Sequence, residues 1–238
     1  MWQRFNVALQ GHNISVDHNI HSNTDSRRGI TALAYLNKNN SEVAEQIVEF
    51  LHGLDAITPN QYVYPINELH ITLLSIISCI DGFTLNDIHA PDYSTLFLEI
   101  LSELPEFQIT FKGVTATPDC IVIQGFPEGD VLTLLRGRLR KAFKASKLRT
   151  SIDSRYTITT AHCTAARFCL PLTSDNTSAN NRLNQSELLL AYLQSYRHHC
   201  FGTTTIKHVD LVFNDWYQRL SNSVAIAHTL LKTQERRF

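Results

Sequence analysis

Two short runs of sequence decide the fold and the candidate site: Glu68-Leu69-His70-Ile71-Thr72-Leu73 and Ala161-His162-Cys163-Thr164-Ala165. Each run sets a histidine two residues before a threonine inside a largely apolar stretch that is typical of a β-strand. Side chains two positions apart on a strand lie on the same face, about 6.6 Å from each other. Each run therefore predicts an imidazole and a hydroxyl that are presented together.

The placement of these two pairs is selective. Of the eleven histidines in the chain, only His70 and His162 have a hydroxyl residue two positions later. Imidazoles titrate near neutral pH and can take or give a proton, while threonine hydroxyls can hold phosphate oxygens. If the two strands face one cleft, the sequence therefore predicts a site for phosphate chemistry.

Apolar periodicity around the two runs predicts strands and helices in a repeated order. Besides the two histidine strands, the predicted strands are 30–36, 107–114, 120–124, 203–213 and 224–231. The predicted helices are one that begins after Asn40, 93–104, 129–148 and 185–196, and residues 173–184 are predicted as an Asn/Ser/Thr-rich loop. The chain thus runs twice through strand, helix, histidine strand, helix and two strands, which indicates two similar halves.

The composition is that of an ordinary globular protein. With 238 residues, of which 43% are hydrophobic and 18% charged, the chain can bury a sizeable core as one large domain or two small lobes. The formal net charge of -1 gives no surface that would track a long nucleic-acid duplex, so a small ligand or a nucleic-acid end is the better partner. No apolar run approaches the ~20 residues that span a bilayer, and no membrane partner is expected.

The cysteines and the first residues bear on the compartment. The five cysteines are odd in number and lack paired metal-site spacing. No cationic N-terminus leads into an apolar secretory core. We therefore expect a reducing, cytoplasmic setting.

Residues 1–29 form a polar N-terminal extension ahead of the first predicted strand. His12, His18 and His21 in this segment could hold a metal ion, but no cysteine or glutamate lies there to complete an ordered ligand set. We therefore expect an extension that is mobile or draped over the surface, without a metal site.

The predicted helix at 129–148 has one apolar face and one basic face. Leucine and phenylalanine recur every three or four residues from Leu132 to Phe143, as in a helix with one buried side. Between Asp130 and Asp153 the chain has no acidic residue. Its cations there are Arg136, Arg138, Arg140, Lys141, Lys144, Lys147 and Arg149. The basic face could contact RNA, but a run of charge usually only solvates a helix, and we expect a solvated face.

The two motifs and the repeated order together resemble the two-histidine (2H) phosphoesterase superfamily, which includes LigT-like RNA ligases and cyclic phosphodiesterases. Residues 65–73, Pro-Ile-Asn-Glu-Leu-His-Ile-Thr-Leu, are similar to the first motif of that family with its preceding proline loop. Residues 162–168, His-Cys-Thr-Ala-Ala-Arg-Phe, are similar to the second. The resemblance extends over residues 30–232.

The resemblance implies a bilobal α+β fold. Two antiparallel sheets would be related by a pseudo-twofold axis, with outer helices and a central cleft that one His-x-Thr strand from each lobe lines. Residues 30–238 would then form a single domain, with lobes near 30–125 and 126–238 and with exchange of strands between them left open. Cys163 and Ala165 depart from the residues usual in the second motif, but both point to the core side of the strand and should alter packing more than chemistry.

The resemblance also implies roles for the motif residues. His70 and His162 are the acid-base pair, Thr72 and Thr164 bind the phosphate, and no metal or cofactor is required. The sequence does not say which histidine is the acid and which is the base. Cys163 is an alternative nucleophile, but strand alternation turns its thiol away from His162.

Four further residues are candidates for binding the rest of the substrate. Tyr35, Tyr64 and Phe168 are aromatic side chains that could stack a base. Arg167 lies one position past the histidine face, so a bulge or the end of the strand must turn it before it can reach a phosphate.

We expect a metal-independent phosphodiesterase, a hydrolase of 2′,3′-cyclic phosphates or 2′-5′ linkages in a nucleotide or at an RNA end. Weak reverse 2′-5′ ligase activity and a monomeric state are further expectations. Two alternatives are a module that binds a nucleotide without turnover and a helper protein that docks RNA through the basic stretch 136–149. Retention of both histidines and both threonines favours the enzyme, because a pure binder needs no pair of proton-transfer groups.

Overall fold

A computed structural model of the protein describes residues 1–172 and 184–233. Within them the helices are α1 (Trp2–Gln10), α2 (Leu36–Asn39), α3 (Ser41–Ile57), α4 (Ala90–Leu101), α5 (Val131–Ala145) and α6 (Gln185–Ser195). The strands are β1 (Arg28–Tyr35), β2 (Tyr62–Val63), β3 (His70–Ile80), β4 (Phe107–Ala116), β5 (Cys120–Pro127), β6 (Ala161–Arg167), β7 (Cys200–Ile206), β8 (His208–Asp215) and β9 (Val224–Leu230). Of the loop predicted at 173–184, residues 173–183 lie outside the described residues.

The strands form two antiparallel sheets, and the predicted α+β fold class is confirmed. The first sheet has the order β3-β1-β8-β9 and the second the order β2-β6-β5-β4-β7. The first sheet therefore combines β1 and β3 with the last two strands of the chain, whereas the second sheet consists of the short strand β2 and the strands from β4 to β7. The division of residues 30–238 into lobes near residue 125 stays a prediction.

The helices pack on the sheets in two groups. Helices α4 and α5 contact strands of the first sheet, whereas α1, α3 and α6 contact strands of the second. The predicted apolar face of α5 is buried, with Leu132, Leu135, Leu139 and Phe143 in the core. The two sheets approach each other at β3 and β6, the histidine strands. None of the described helices combines the length and the apolar character that crossing a membrane requires.

The strand predicted at 203–213 is two strands that belong to different sheets. β7 ends in the second sheet and β8 begins in the first, so the chain crosses between the sheets at Lys207. The side chain of Asn39 satisfies the backbone at this crossing, because its Oδ1 accepts from the N–H groups of Lys207 (2.7 Å) and His208 (2.8 Å). A side chain far away in the sequence thus stabilises the backbone where the chain changes sheets.

The N-terminal extension begins with a helix that its polar composition did not predict. Phe5 and Leu9 of α1 are buried, and Phe5 stacks on Phe168 with 6.2 Å between the ring centroids. The backbone N–H of Asp17 donates to the carbonyl of Phe168 at 2.8 Å. These contacts attach the extension to the end of β6.

Candidate functional site

Strand β3 carries more residues than the part of β1 with which it pairs. The register slips by one residue at Leu73, again at Ile76, and a third time between Ile77 and Ile80. Each slip is a β-bulge, and a shift of one residue moves the following side chains to the other face of the sheet. Because of the bulges, the half-exposed positions of β3 are Thr72, Ser75 and Ser78, spaced three residues apart.

Strand β6 has a matching bulge. Its register against β5 slips by one residue at Ala165, so that Ala165 and Ala166 are buried in succession. The bulge returns Arg167 to the face that carries His162 and Thr164, which is the rearrangement that Arg167 needs in order to approach a phosphate. In both strands a bulge lies directly after the motif threonine.

The two histidine strands face one cleft. His70 and Thr72 of β3 and His162 and Thr164 of β6 all line a cavity of about 250 Å³, and Arg167 lines it as well. The structure therefore brings both predicted pairs together in one site, although they lie about ninety residues apart in the chain.

A backbone contact holds His70 in one tautomer. Its Nδ1 lies 2.6 Å from the carbonyl oxygen of Glu68, and because a carbonyl only accepts, Nδ1 carries the proton and donates. Burial lowers the pKa of His70 to about 4; the hydrogen bond opposes this shift, and the positive charges of His162 and Arg167 reinforce it. At neutral pH the ring is therefore uncharged, with a free lone pair on Nε2.

His162 has different surroundings. Its Nδ1 is 3.2 Å from the hydroxyl of Thr160, which can donate or accept, so this contact fixes no tautomer. Burial lowers the pKa of His162, and the positive charge of Arg136 lowers it further. The two histidines thus differ in their surroundings even though their motifs are alike.

The remaining polar groups of the site are available to a ligand. The hydroxyls of Thr72 and Thr164 line the cleft and make no hydrogen bond to any described residue. The Nε of Arg167 donates to the hydroxyl of Tyr64 at 3.1 Å. Within the described ranges no carboxylate forms an ion pair with Arg167, so its charge can act on an anion in the cleft.

Arg136 joins the two histidine strands. Its Nε donates to the carbonyl of Leu73 at 2.8 Å, and its Nη2 donates to the carbonyls of Thr72 and Thr160 at 3.0 Å each. Since β3 is an edge strand and Thr160 directly precedes β6, the guanidinium satisfies free carbonyls of one strand and attaches it to the other. The prediction of a solvated basic face was therefore wrong for Arg136, which is 3% exposed.

Two other cations of α5 stabilise a wall of the cleft. Arg140 donates to the Asp153 carboxylate and to the carbonyl of Ile158, at 3.0 Å in each case. Lys144 binds the same carboxylate at 3.3 Å. Asp153 and Ile158 both line the cleft, so these contacts hold the segment between them in place.

Two of the predicted substrate contacts lie outside the lining of the cleft. Tyr35 is buried with its ring edge-on to that of His70 at a centroid distance of 6.2 Å, and Phe168 is buried against Phe5. Tyr64 lines the cleft, but it is only 2% exposed and its ring also lies edge-on to that of His70, again at 6.2 Å. Tyr35 and Tyr64 are thus placed to hold the His70 ring, with little surface left for a base.

The thiol of Cys163 is poorly suited to act as a nucleophile. It is fully buried, does not line the cleft, and burial raises its pKa to about 12. A thiol in such surroundings stays protonated, and only the thiolate is strongly nucleophilic.

The sequence reasoning missed one end of the cleft. Ser75, Ser78, Arg155, Tyr156 and Trp216 line this end. The hydroxyl residues that follow Thr72 at intervals of three are a visible signal, but strict alternation places successive members on opposite faces of a strand. Only the bulges bring them to one face.

The histidines of the N-terminal extension remain without an assigned task. In the part of the chain that the structure describes, no three His, Cys, Asp or Glu side chains are grouped as a metal site requires.

Comparison with solved structures identifies the fold. TT0787 of Thermus thermophilus superimposes with a TM-score of 0.58 at 16% identity, over 87% of this chain and 100% of that one. ATU0111 of Agrobacterium tumefaciens, a conserved protein of unknown function, has a TM-score of 0.53 at 15% identity, over 92% and 97% of the two chains. Escherichia coli LigT complexed with ATP has a TM-score of 0.51 at 13% identity, over 87% and 99%. No protein-family model and no curated protein matches the sequence.

The protein is thus of the α+β class in which two antiparallel sheets face a cleft. More particularly, it has the fold of LigT. The expectation of fold that came from the two motifs is confirmed.

Proposed function

We propose that the protein is a two-histidine phosphoesterase that hydrolyses 2′,3′-cyclic phosphate or 2′-5′ phosphodiester bonds in nucleotides or at RNA ends. The observation that carries this proposal is the convergence of His70, Thr72, His162 and Thr164 in one cleft between two sheets. Hydrolysis of a phosphodiester needs one group that takes a proton, one that gives a proton, and donors that hold the phosphate oxygens. The four side chains supply all three.

The surroundings of the histidines favour His70 as general base and His162 as general acid. The free Nε2 of His70 takes a proton from water as the water oxygen bonds to phosphorus. The bond from phosphorus to a ribose oxygen then breaks, and protonated His162 gives its proton to that oxygen. One water is added across the bond, and exchange with solvent restores both histidines.

The other polar groups of the site stabilise the negative charge that develops on the phosphate. The hydroxyls of Thr72 and Thr164 donate to its non-bridging oxygens, and the guanidinium of Arg167 supplies positive charge. The two hydroxyls are available to a ligand in the free protein because no described residue forms a hydrogen bond with them.

The likeness to LigT supports a nucleotide as the substrate. The LigT structure reported above is a complex with ATP. We extend this to the present chain, where the cleft combines cationic and hydroxyl side chains with Tyr156 and Trp216 in its lining. Substrate and partner are then the same molecule, a nucleotide or an RNA end.

A direct test offers the purified protein 2′,3′-cyclic mononucleotides, RNA with a cyclic-phosphate end, and 2′-5′ dinucleotides, all with EDTA present. We expect at least one substrate to be hydrolysed, a cyclic phosphate to a phosphomonoester or a 2′-5′ dinucleotide to a nucleoside and a nucleoside monophosphate. Chromatography of the reaction mixture measures the products. The double variant His70→Asn/His162→Asn should show none. Binding of these compounds without turnover by the wild type would favour the binding module instead, and turnover that persists in the double variant would overturn the proposal.

The pH dependence of kcat/KM follows from the two histidines, and we expect an optimum on the acid side of 6.5. The base must be neutral, so kcat/KM rises as the pH increases through the His70 pKa of about 4. The acid must be protonated, and because the pKa of His162 is lowered from 6.5, kcat/KM falls as the pH increases through a value below 6.5. Initial rates from acid to mildly alkaline pH measure both limbs. An optimum above neutrality would contradict these roles.

A further inference from the structure

The cleft continues beyond the histidine-threonine pairs, along the second half of β3. We call this part the outer arm, and its lining includes Ser75, Ser78, Arg155 and Trp216. The bulges of β3 put both serines on the face of Thr72. The outer arm is therefore continuous with the place proposed for the reacting phosphate.

The two serine hydroxyls have no partner within the described residues. The backbone N–H of Ser78 donates to the hydroxyl of Ser151, but neither the Ser75 nor the Ser78 Oγ makes a hydrogen bond to a described residue. Both side chains are half-exposed in the cleft. A free hydroxyl in such a position can donate to an anion.

Arg155 brings an uncompensated positive charge to the outer arm. Its Nη2 donates to the carbonyl of Cys79 at 2.6 Å, and its guanidinium carbon lies 4.9 Å from the centroid of the Trp216 ring. No carboxylate of the described ranges forms an ion pair with it. Arg27 lies at the same distance from Trp216, but it is bound to Asp25 through two hydrogen bonds of 2.8 and 2.7 Å.

The stacking partner of Arg155 is held by a fixed turn. The buried carboxylate of Asp215 accepts from the backbone N–H groups of Tyr217 and Arg219 at 3.0 Å each. This turn fixes the backbone that carries Trp216. Stacking on a held ring orders the guanidinium in the free protein, which lowers the entropic cost of using it to bind a ligand.

The cleft offers an anion little repulsion. Of the described residues that line it, Asp153 alone is acidic, and Arg140 and Lys144 bind its carboxylate. Arg155 and Arg167 meanwhile line the cleft with no ion-pair partner in the described residues. Two separate positive charges in one cleft suit a ligand that carries two separate negative ones.

We infer that Ser75, Ser78 and Arg155 form a second phosphate subsite, so that the preferred substrate carries a second phosphate group beside the one that reacts. The 5′-phosphate of the last nucleotide of an RNA strand is such a group. A guanidinium edge matches phosphate geometry, and the two hydroxyls complete the set of donors. This inference rests on the proposed function, because the histidine-threonine pairs place the first phosphate.

Binding measurements test the subsite without any turnover. Isothermal titration calorimetry compares adenosine 3′-monophosphate with adenosine 3′,5′-bisphosphate on the full chain. We expect the bisphosphate to bind about tenfold more tightly, which corresponds to one charge-assisted contact. Arg155→Met and, separately, Ser78→Ala should reduce this preference and leave the affinity for the monophosphate unchanged. Arg149→Met is the matched control, since Arg149 also stacks on an aromatic ring, that of Phe83 at 5.2 Å, but lies outside the lining of the cleft.

A kinetic comparison separates this inference from the proposed function. Adenosine 2′,3′-cyclic phosphate with a 5′-phosphate should have a lower KM than the same compound without it. Arg155→Met should raise the KM of the compound with the 5′-phosphate and leave the KM of the other unchanged. Hydrolysis of both at equal KM would overturn the subsite and leave the function standing. A bisphosphate preference that depends on Arg155 without any hydrolysis would support the subsite and overturn the function. Equal binding of the two adenosine phosphates by the wild type, or a preference that survives both substitutions, would overturn the subsite.

Discussion

His70→Asn should lower kcat for the hydrolysis of a 2′,3′-cyclic nucleotide by about a hundred- to ten-thousandfold, with little change in KM. An asparagine side chain takes up no proton at neutral pH, so the general base is lost. Its amide N–H can take the place of Nδ1–H and still donate to the carbonyl of Glu68, the contact that anchors the histidine ring. The substitution therefore removes the proton acceptor and keeps the local hydrogen bond. Initial rates over a range of substrate concentration give kcat and KM separately.

His52→Asn is the matched control for this variant. His52 is exposed on α3 and does not line the cleft, so the same change of side chain there should leave kcat and KM as in the wild type. Thermal unfolding of both variants checks that the fold is retained. A folded His70→Asn protein with the kcat of the wild type would show that His70 is not the base.

The histidine-threonine pairs could be predicted from the sequence because they depend only on local geometry. Within a strand, His70 and Thr72 share a face whatever lies around them, and the same holds for His162 and Thr164. That the two strands meet across one cleft came from the repeated order of elements and from the family resemblance. The α+β fold followed from the same two sources.

The arrangement beyond each threonine could not be predicted, because a bulge depends on two strands. The slips at Leu73 and Ala165 exist only in the registers of β3 against β1 and of β6 against β5. Strict alternation puts Arg167 on the wrong face, and it separates Thr72 from Ser75. One extra residue after the motif threonine in each strand brings Arg167 to the face of His162 and brings Ser75 to the face of Thr72. The cleft is therefore richer in polar side chains than either strand read alone suggested.

Contacts between residues far apart in the sequence account for the other differences between the predicted and the observed structure. Arg136 looked like one more solvated cation of α5, yet free carbonyls of an edge strand bury it. Asn39 stabilises the point at which the chain changes sheets, about 170 residues further along. Local periodicity contains no information about either partner, since both are fixed only when the sheets have assembled.

Arg136→Met should destabilise the protein and also impair the site from a distance. The substitution removes three hydrogen bonds that a charged guanidinium donates, and the carbonyls of Thr72, Leu73 and Thr160 lose this donor. Such bonds are worth about 1.5–3 kcal/mol each, and relief of the buried charge offsets part of the loss. We therefore expect the free energy of unfolding to fall by about 2–4 kcal/mol, measured by urea denaturation.

The effect of Arg136→Met on activity distinguishes a positioning residue from a purely structural one. Misplacement of reacting groups by about 1 Å can lower the rate about a hundredfold, so we expect kcat to fall to that extent at a temperature where the variant is folded. Because the charge of Arg136 lowers the pKa of His162, its removal should also raise that pKa, and the descending limb of the kcat/KM profile should move to higher pH.

Two further variants make the argument specific to Arg136. Arg136→Lys keeps the positive charge but cannot reproduce the planar fork that spans carbonyls on two strands. It should hold the descending limb of the pH profile near its wild-type position and still lose stability and kcat. Arg138→Met, at an exposed position of the same helix, should leave stability, kcat and the pH profile unchanged. If Arg136→Met loses stability while kcat and the pH profile of the folded fraction stay those of the wild type, Arg136 only braces the fold. A shift of the descending limb together with lower kcat is expected only if the same guanidinium sets both the spacing of the histidine strands and the proton affinity of His162.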